Sequence, residues 1–517
     1  MSSKPLTHTT VSSDEINYLV FRYLQESGYV HSAFAFGYES QVIKTKIDGS
    51  QIPPGALLSF VQRGINFVEI EESLMEESKD GTHAMDGVTS LLDVHRCLCN
   101  QDFKTSRQNL NVINGTNDPP LMEVDEKEPG TSMDKPKEKK KSNVDVPDSD
   151  VLTLRGHTSE VFVCAWNPRT SVLATGSGDS TARIWPIPTT FPAPSSASAA
   201  AAAQPLVLPH TTERPRSTTL TKHKSNDVTT LDWNPTGTLL ATGSYDGVAK
   251  VWTETGDLKF SLVHHSGPLF SLKWNKRGNY ILIGSVDKTT TVWNGLSGQL
   301  VRQFTMHEAP CLDVDWKDDV TFASCSTDKL IYMHNLESNV PIRAYRGHED
   351  EINCIRFDPS GMLLASCSDD YTAKIWSTKS NKMLFNLAEH TREVYTMKWC
   401  PSANRRLVLA TASFDAMVKL WDVNSGRCIK TLTGHADPVY SLAYSPDGQF
   451  LVSGSFDRSF CIWSAKDGSL VKRFAGDGGI FEVAWNPVGD KVAACFSSNT
   501  VCVVDLRKMM SSTVKAS

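Results

Sequence analysis

Residues 348–376, HEDEINCIRFDPSGMLLASCSDDYTAKIW, contain the pattern that decides the fold of this 517-residue chain. A histidine opens the stretch, an aspartate follows 22 residues later, and a large ring closes the last β-branched run six residues after the aspartate. The pattern occurs seven times. The aspartates are Asp179, Asp246, Asp287, Asp328, Asp370, Asp415 and Asp457, and the rings that follow them are Trp185, Trp252, Trp293, His334, Trp376, Trp421 and Trp463. After a long first interval the units recur every 41, 41, 42, 45 and 42 residues, a period that indicates a repeat architecture.

Six of the seven units have one obvious histidine, and these are His157, His265, His307, His348, His390 and His435. The second unit offers two candidates. His223 has the better spacing, although it is one residue further from its strand than usual, and His210 lies earlier in the chain. The sequence leaves this choice open.

Each unit also has the alternation of a small antiparallel sheet. In the first unit the runs VFVCAW, VLATGS and TARIW are separated by turn residues, and later units add a fourth run such as KFSLV or IKTLT. Alternation leaves an apolar face on every sheet, so no unit buries its apolar surface alone. Closure of the units into a ring would cover each face.

Units of this length with a histidine and a terminal Asp…Trp resemble WD repeats, each of which supplies a four-stranded blade of a β-propeller. The predicted fold class is mainly β: an eight-bladed WD-repeat β-propeller over residues 151–507, interrupted by an insertion at about 186–222 and preceded by a small all-α domain. The eighth unit has Gly476, Ser498 and Val504 in place of His, Asp and Trp, and no fourth strand follows it. The strand VLTLR at 151–155 is expected to complete this blade, because a seven-bladed ring would leave the eighth unit uncovered.

The recurring polar residues are predicted to be structural. An aspartate at a tight turn accepts hydrogen bonds from the turn backbone and from the histidine of the preceding connection. The resemblance to WD repeats implies that a strand Ser or Thr links this pair to the tryptophan. Because the set recurs from blade to blade, where a catalytic pair would occur once, we assign as structural latches His157, Asp179, Trp185, Asp246, Trp252, His265, Asp287, Trp293, His307, Asp328, His348, Asp370, Trp376, His390, Asp415, Trp421, His435, Asp457 and Trp463.

Composition argues against several classes of protein. The net charge of -6 disfavours a general nucleic-acid coat, and no sequence-specific DNA binding is expected. The 12 cysteines lack metal-type spacing, and no nucleophile–base pair or phosphate loop lies outside the repeats, so the chain is expected to be no enzyme and to carry no metal or cofactor. No signal pattern or long apolar stretch is present, which predicts a soluble intracellular protein without a membrane partner.

Residues 12–40 are predicted to form a self-associating hairpin, after a disordered start at 1–11. A capping box at Ser12 and Glu15 precedes apolar residues at helical spacing, and INYLVFRYLQESGYVHSAFAFGYES resembles the LisH dimerisation motif. Two such short helices cannot bury enough apolar surface alone. The alternative is a helix packed on the propeller. The expected self-association residues are Ile16, Leu19, Val20, Tyr23, Leu24 and Phe36.

Two further segments precede the propeller, and a tail at 508–517 follows it. Residues 41–96 resemble an F-box-like helical region, whose role is either to dock a ubiquitin-ligase adaptor or to support the hairpins. Residues 97–150 are a polar linker with the basic run KPKEKKK at 135–141. This run fits a nuclear import signal, and its alternative is a solvated linker.

In this order, the three parts resemble the transducin-β-like, or Ebi-type, co-repressor subunits. The strings VFRYLQESG, GPLFSLKWN, ASFDAMVKLWDV and GGIFEVAWN carry the resemblance. It implies a nuclear scaffold that joins a nuclear receptor co-repressor protein to a class I histone deacetylase, binds histone tails and recruits ubiquitin-conjugating machinery. The nearest rival is a substrate receptor of a cullin-type ubiquitin ligase. A heterotrimeric G-protein β subunit is disfavoured by the LisH-type hairpin and the eighth unit.

A binding rim can be predicted from strand position. The residues four before the aromatic end of each first strand should point to one rim of the channel, and they are Phe162, Thr229, Phe270, Leu312, Asn353, Tyr395, Tyr440 and Phe481. The carboxylates of Glu160, Asp227, Glu351 and Glu393 lie two residues earlier, and the turn residues Tyr245, Tyr371, Phe414 and Phe456 widen the rim. Aromatic rings and carboxylates suit a basic peptide such as a histone tail. The alternative is that the aromatics plug the channel and the acids are solvated.

Overall fold

The computed structural model describes residues 13–26, 36–37, 40, 42, 52, 56–57, 144–189, 191, 204–210, 226–401 and 407–509. The F-box-like region beyond residue 57, the basic run at 135–141, His223 and most of both termini lie outside these ranges. The chain divides into two compact units, residues 1–135 and 136–517. Within the described ranges, no helix combines the length and apolar character needed to cross a membrane.

In the first unit, the helix α1 (Ser13–Glu26) coincides with the first predicted helix of the hairpin. Its apolar residues recur at three and four positions, and it ends two residues before Gly28. Of the second predicted helix, only residues 36 and 37 are described as helical.

The second unit consists of eight four-stranded antiparallel sheets, so the predicted fold class is confirmed. The strands that precede and form blades 1 to 4 are β1 (Val151–Leu154), β2 (Val161–Trp166), β3 (Val172–Ser177), β4 (Thr181–Pro186), β5 (Leu206–Pro209), β6 (Val228–Trp233), β7 (Leu239–Ser244), β8 (Val248–Thr253), β9 (Leu258–Val263), β10 (Leu269–Trp274), β11 (Tyr280–Ser285), β12 (Thr290–Asn294), β13 (Leu300–Phe304), β14 (Cys311–Trp316), β15 (Thr321–Ser326), β16 (Leu330–Asn335) and β17 (Arg343–Arg346). Blade 1 is β2–β5, and each following group of four strands forms the next blade.

Blades 5 to 8 continue the series. Their strands are β18 (Ile352–Phe357), β19 (Leu363–Ser368), β20 (Ala373–Ser377), β21 (Met383–Leu387), β22 (Val394–Trp399), β23 (Val408–Ser413), β24 (Met417–Asp422), β25 (Arg427–Thr433), β26 (Val439–Tyr444), β27 (Phe450–Ser455), β28 (Ser459–Ser464), β29 (Leu470–Ala475), β30 (Ile480–Trp485), β31 (Lys491–Phe496) and β32 (Val501–Asp505). The first strand of each blade contacts the first strands of both neighbouring blades, so these eight strands form a closed inner ring.

The ring closes where the two ends of the propeller sequence meet in blade 8. Strand β1 pairs antiparallel with β32, from Val151 opposite Val504 to Leu154 opposite Val501, which confirms the expected role of residues 151–155. Leu154 is only 3% exposed and packs with apolar residues of blades 8 and 1. The first and last propeller strands therefore share one sheet and one core.

Two boundaries of the propeller differ from the sequence prediction. Residues 144–146, predicted as linker, pair with Arg473 on the outer strand of blade 7, and the buried Val146 joins the core of blades 7 and 8. Strand β5 lies inside the predicted insertion at 186–222, where it pairs with β4 as the outer strand of blade 1. Both segments are short and lack the repeat pattern, but each supplies hydrogen bonds to an open sheet edge.

Tryptophan indole groups form hydrogen bonds between neighbouring blades. The sequence analysis did not predict these bonds. The Nε1 atom of a tryptophan ending the first strand donates to a backbone carbonyl of the preceding blade, at 3.0–3.2 Å. The five pairs are Trp166 to Ala484, Trp233 to Ala165, Trp274 to Asp232, Trp316 to Lys273 and Trp399 to Arg356. These bonds run around the inner ring and fix the contact between consecutive blades.

Among the described residues, three blade junctions lack such an indole bond, and at two of them a side-chain oxygen of the preceding blade accepts a backbone N–H instead. Phe357 ends the first strand of blade 5, and there the Asp315 carboxylate accepts the Phe357 backbone N–H at 2.8 Å. Tyr444 takes the position in blade 7, and its hydroxyl is buried without a hydrogen-bond partner. Trp485 of blade 8 keeps its indole, but its Nε1 is also unpartnered; at that junction the Val483 N–H donates to Ser441 Oγ at 3.1 Å.

We expect Tyr444→Phe to leave the free energy of unfolding unchanged or to raise it by about 1 kcal/mol, because the substitution removes a buried hydroxyl that has no partner. The matched control is Tyr345→Phe. Tyr345 is also a strand tyrosine and its side chain is buried, but its hydroxyl donates to the Ser377 carbonyl at 3.2 Å, so this change should cost about 1 kcal/mol. Denaturant unfolding of the two variants measures both values. Equal losses in both would contradict the assignment of an unpartnered hydroxyl.

Candidate functional site

Blade 5 shows the complete geometry of a latch. His348 Nδ1 lies 2.7 Å from Asp370 Oδ2, and His348 Nε2 lies 2.7 Å from Ser366 Oγ. Trp376 Nε1 donates to the same hydroxyl at 2.8 Å. The aspartate also accepts the Glu349 N–H at 3.0 Å. One polar chain thus connects the loop before the blade, its second strand and its third strand.

The same chain of contacts recurs in three other blades. The distances are within 2.7–3.0 Å for His157, Asp179, Thr175 and Trp185 in blade 1, for His390, Asp415, Thr411 and Trp421 in blade 6, and for His435, Asp457, Ser453 and Trp463 in blade 7.

Blades 3 and 4 contain altered latches. In blade 3 the hydroxyl comes from Thr291 on the third strand, where it contacts His265 Nε2 at 2.8 Å and Trp293 Nε1 at 3.0 Å, and His265 Nδ1 lies 2.8 Å from Asp287. In blade 4 His307 contacts Asp328 and Ser324 at 2.8 and 2.9 Å. His334 replaces the tryptophan there, and its ring packs against Phe304 and Phe322 of the apolar interior.

Blade 2 resolves the choice between two histidines. His210 is fully buried directly after β5, and its Nε2 lies 2.7 Å from Thr242 Oγ1, to which Trp252 Nε1 donates at 2.8 Å. Among the described residues, His210 Nδ1 has no hydrogen-bond partner, and Asp246 instead accepts from the Ser244 hydroxyl and the Val248 N–H. His210 therefore occupies the latch position, but its bond to the aspartate is missing.

Six of the seven aspartates also hold a strained turn, and Asp246 is instead followed by Gly247. The residue after each of the six has a left-handed backbone conformation, with φ between 63° and 73° at Ser180, Lys288, Lys329, Tyr371, Ala416 and Arg458. Residues with a Cβ rarely adopt this conformation. The carboxylate accepts the backbone N–H two residues further on, at 3.0 Å from Thr372 to Asp370, and so stabilises the turn.

In the latch of blade 5, the protonation states of the side chains provide one donor and one acceptor for each hydrogen bond. Burial lowers the pKa of His348, so its ring is neutral near pH 7. Burial disfavours the charge of Asp370, but the interactions with His348, with the Thr372 hydroxyl and with the Glu349 N–H together outweigh it, and the pKa of this carboxyl is lowered. The indole N–H then donates to the Ser366 hydroxyl, the hydroxyl to Nε2, and Nδ1–H to the carboxylate.

This arrangement resembles the order of groups in a Ser–His–Asp catalytic triad, but its chemistry differs. Ser366 is 0% exposed and its oxygen already accepts the Trp376 N–H, so no substrate can reach the hydroxyl. In the described part of the chain, no group of three or more His, Cys, Asp or Glu side chains is arranged to hold a metal ion. The latches stabilise the blades and leave the rim as the surface available for binding.

Four of the five predicted rim aromatics lie close together. Ring centroids are 5.4 Å apart for Phe162 and Phe481, 5.2 Å for Tyr395 and Tyr440, and 6.3 Å for Tyr440 and Phe481. Two turn residues complete the group, which we call the aromatic cluster: Phe162, Tyr395, Phe414, Tyr440, Phe456 and Phe481. It extends over blades 6, 7, 8 and 1.

Phe270 does not join this cluster. It lies on the first strand of blade 3, and no ring contact connects it to the six aromatics in the described ranges. At the same position, blades 2 and 4 have Thr229 and Leu312, which are not aromatic. Among the described residues, the connected ring contacts of the rim therefore lie on blades 6, 7, 8 and 1.

The predicted carboxylates are unequally placed. Glu160, Glu351 and Glu393 are partly exposed, and Glu160 accepts from Ser159 Oγ at 2.6 Å. The prediction that Asp227 is an open rim carboxylate is wrong. Asp227 is only 2% exposed, since it directly precedes a strand whose first residue is fully buried.

Asp369 is a rim carboxylate that the sequence analysis missed. It lies beside Glu351, whose carbonyl accepts the Asp369 N–H at 3.0 Å, and Asn353 Nδ2 donates to its carboxylate at 2.6 Å. Burial and the nearby charges of Glu351 and Glu393 raise the pKa of Asp369 to about 6. We call Glu351, Asp369 and Glu393 the acid group. The sequence feature that could have revealed Asp369 is the pair of consecutive aspartates, Asp369 and Asp370, in the turn of blade 5.

The acid group borders the aromatic cluster at the junction of blades 5 and 6. Asn353 Nδ2 also donates to the Val394 carbonyl, at 3.1 Å, and the Phe414 N–H donates to the Glu393 carbonyl at 3.0 Å. Tyr395 follows Val394, and its ring is stacked on Phe414 with centroids 5.6 Å apart. Carboxylates and aromatic faces thus meet at one place on the rim.

Comparison with known proteins identifies the two described parts of the chain. The family model "WD domain, G-beta repeat" matches residues 149–186, 214–253, 256–294, 298–335, 339–377, 381–422 and 426–464. The LisH model matches residues 14–40, which include α1. Each matched unit covers the three inner strands of one of blades 1 to 7, and six of the seven units also include the outer strand of the preceding blade. Blade 8 lacks the His, Asp and Trp of the repeat and is recognised from the sheet itself.

Relatives share nearly the full length of the chain. The human F-box-like/WD repeat-containing protein TBL1Y is 45% identical, with 96% of this chain and 100% of the relative covered. Mouse TBL1X is 46% identical with the same coverage. Among solved structures, the C-terminal WD40 domain of Sif2 has a TM-score of 0.58 at 24% identity, covering 68% of this chain and 98% of that domain, a likeness of fold.

We expect Asp370→Ala to lower the free energy of unfolding by about 1–3 kcal/mol, because the substitution leaves the buried His348 Nδ1 and the Glu349 N–H without their acceptor. Thermal or denaturant unfolding of the full chain measures the loss. The exposed Asp477, in the loop before the first strand of blade 8, provides the control, and Asp477→Ala should change stability by less than about 0.5 kcal/mol. An unaltered transition for Asp370→Ala would refute the latch.

Proposed function

The chain belongs to the family of LisH and WD-repeat proteins that includes TBL1X and TBL1Y, and we propose that it is a non-enzymatic scaffold subunit of a nuclear histone-deacetylase co-repressor complex. The family architecture supports an adaptor or scaffold role, with protein partners and self-association. The proposed partners are a nuclear receptor co-repressor protein, a class I histone deacetylase and histone tails.

The observation that carries this proposal is the contrast between the latches and the rim. The His, Asp and hydroxyl side chains that could perform chemistry are bonded to one another inside the blades, as at His348, Asp370 and Ser366. The acid group and the aromatic cluster, apart from the buried Phe414, remain at least partly exposed. A rigid ring with such a rim suits binding of a basic peptide by charge pairing and cation–π contact.

Self-association is proposed to occur through the hairpin that contains α1. Ile16 is 50% exposed, and Leu19, Val20, Tyr23 and Leu24 are partly exposed, as is Phe36 beyond the helix. A helix of 14 residues is marginal alone, so burial of this apolar face against a second copy would supply its missing stability. Self-association would also place several propeller rims in one complex and increase avidity for repeated tails.

Two parts of the proposal concern segments beyond the described ranges. The basic run at 135–141 supports nuclear import and therefore a nuclear location. The F-box-like region at 41–96 is proposed to recruit ubiquitin-conjugating machinery. The names of the relatives TBL1X and TBL1Y contain the term F-box-like. For this reason, a substrate receptor of a cullin-type ubiquitin ligase is the second candidate function.

The function is tested by purifying the tagged full chain from nuclei and identifying bound proteins by mass spectrometry. We expect a co-repressor protein and a class I histone deacetylase at amounts comparable to the chain itself. Recovery dominated by a cullin and its adaptor, without the deacetylase, would favour the second candidate. Recovery of neither set would refute both.

Histone-tail binding is measured separately, by fluorescence anisotropy of labelled tail peptides with the full chain. Tyr395→Ala combined with Tyr440→Ala removes two rings from the centre of the aromatic cluster, and we expect an affinity loss of about tenfold or more. Circular dichroism and thermal unfolding establish that the variant is folded. A folded double variant that binds the peptides as tightly as the natural chain would eliminate this rim as the site.

A further inference from the structure

We propose that the face of the propeller opposite the aromatic cluster carries a second docking site, which binds an acidic protein segment with apolar side chains. The site lies on blades 3 to 5 and is separate from the rim that is proposed to bind histone tails. Its apolar part, which we call the apolar edge, comprises Leu296, Val301, Val340, Ile342, Met383 and Leu384.

The strand connections place the apolar edge on the opposite face. The aromatic cluster lies at the start of first strands, as at Tyr395 and Phe481, and in turns between second and third strands, as at Phe414. Because neighbouring strands of a blade are antiparallel, the connection from the third to the fourth strand lies at the other end of the blade. Leu296 and Val340 belong to these connections, and the other four members lie at or next to the start of a fourth strand.

The side chains of the apolar edge are open to solvent, between 40% and 67% exposed. In the corresponding connections and fourth strands of blades 6 to 8, the described residues include one exposed large apolar side chain, Leu470 at 36%. Blades 1 and 2 also expose Leu206, Val207 and Leu258 there, so on that side the site is delimited by charge. Exposed apolar side chains concentrated on one part of a surface are typical of an interaction site.

Hydrogen bonds between blades join the apolar edge into one surface. Arg302, on the fourth strand of blade 3, donates from Nη1 to Asn339 Oδ1 at 2.8 Å, next to Val340 of blade 4. Arg343 of blade 4 donates from Nε to the Thr378 carbonyl of blade 5 at 3.0 Å. A single partner segment can therefore contact all three blades.

The charge of this face is opposite in sign to that of the chain. The segments that form the face on blades 3 to 5 are 275–279, 295–302, 317–320, 336–343, 358–362 and 378–384. They contain seven Lys and Arg and four Asp and Glu, a net charge of +3 in a chain whose net charge is -6. Asp358 is buried, Asp319 is paired with Arg277 at 2.8 Å, and Asp318 lies 3.5 Å from Lys317. The remaining exposed charge is therefore basic.

This basic character ends at blade 2. The connection from the third to the fourth strand of blade 2, residues 254–257, contains Glu254 and Asp257 and no base. An acidic partner would be repelled there, although Leu258 is exposed beside it.

Cations alternate with the apolar side chains along the chain. Arg302 follows Val301, Arg343 follows Ile342, and Lys382 precedes Met383. The oxygen atoms that accept from the two arginines are neutral, so these bonds leave the guanidinium charges uncompensated. A protein segment that alternates carboxylates with apolar side chains would pair with both kinds of group. This alternation favours a protein segment over a lipid bilayer, whose charged and apolar parts lie in separate layers.

The test uses a labelled peptide of about 18 residues, with Leu at helical spacing and Glu between the leucines, added to the full chain and followed by fluorescence anisotropy. One control peptide has Lys in place of Glu, and the other has Ser in place of Leu. We expect the acidic apolar peptide to bind about tenfold more tightly than either control, and we expect added salt to weaken its binding.

Two double variants locate the site on blades 4 and 5. Val340→Ser with Ile342→Ser removes two exposed apolar side chains, and Lys379→Glu with Lys382→Glu reverses two exposed charges. Each double variant should weaken binding of the acidic apolar peptide about fivefold or more. Because the four side chains are exposed, the variants should fold, and thermal unfolding checks this.

Blade 7 supplies the matched controls. Leu470→Ser changes an exposed apolar residue at the start of a fourth strand, and Lys466→Glu reverses an exposed charge in the preceding connection. Both should change affinity less than about twofold.

Equal affinity for the three peptides, no binding of any of them, or equal losses in the blade 7 controls would overturn the inference. Binding of phosphatidylserine vesicles or duplex DNA that is lost in the same double variants, without binding of the acidic apolar peptide, would assign the surface to another class of ligand. A smaller assembly of the Val340 and Ile342 double variant in sedimentation velocity would assign it to a second copy of the chain, and would also overturn the inference.

The proposed function can fail independently. Tyr395→Ala with Tyr440→Ala should leave binding of the acidic apolar peptide unchanged, because these rings lie on the other face. A chain that binds this peptide but recovers no co-repressor or deacetylase would refute only the proposed complex. A chain that recovers both but shows no preference among the three peptides would refute only the second docking site.

Discussion

Closure of the ring is the constraint on which the rest of the structure depends. Each blade has two apolar faces and can bury them only between two neighbours, so an open row of eight blades would leave a face uncovered at each end. The inner strands of blade 8 pack against β2 of blade 1 and so cover both faces, and the pairing of β1 with β32 holds this contact because it places the first propeller strand in the last blade. Leu154 then packs in a core that includes Trp185 and Val161 of blade 1. The outer strand is therefore a connection between the chain ends as well as a part of one sheet.

Two sets of hydrogen bonds stabilise the closed propeller. The latches hold the strands and loops of single blades, and the indole bonds hold one blade to the next. In both sets, the polar side chains are hydrogen-bonded to other groups inside the propeller. The rim is then free to vary from blade to blade without loss of the fold. Its aromatic and acidic side lies on blades 5 to 8 and 1, while exposed lysines occupy blades 3 and 4.

The sequence was sufficient for features that repeat. Blades 1 to 7 followed from a period of 41 to 45 residues and from the aspartate and closing ring of each unit, and the eighth blade followed from its three apolar runs and the unpaired strand at 151–155. Features that occur once were missed. Strand β5 lies within a long irregular stretch, so spacing favoured His223 although His210 occupies the latch. Thr291 replaces a hydroxyl expected on the neighbouring strand, and residues 144–146 add to a sheet edge without any repeat signal.

The rim was predictable in part for the same reason. The position of Tyr395, Tyr440, Phe162 and Phe481 followed from strand alternation, which places equivalent residues at equivalent heights. Strand alternation does not give the neighbours of each side chain across the ring, so the separation of Phe270 and the burial of Asp227 appeared only in three dimensions. Asp369 was overlooked because it lies next to a latch aspartate in a turn and its environment depends on blade 6.

Native-state hydrogen exchange of the full chain, read by mass spectrometry, tests ring closure most directly. If β1 closes the ring, the amides of Val151–Leu154 that donate into β32 should open with the same free energy as those of β31, through global unfolding. Rapid exchange of the β1 amides, with the strands of blades 1 and 8 still fully protected, would show that the ring persists without this strand and would contradict the account.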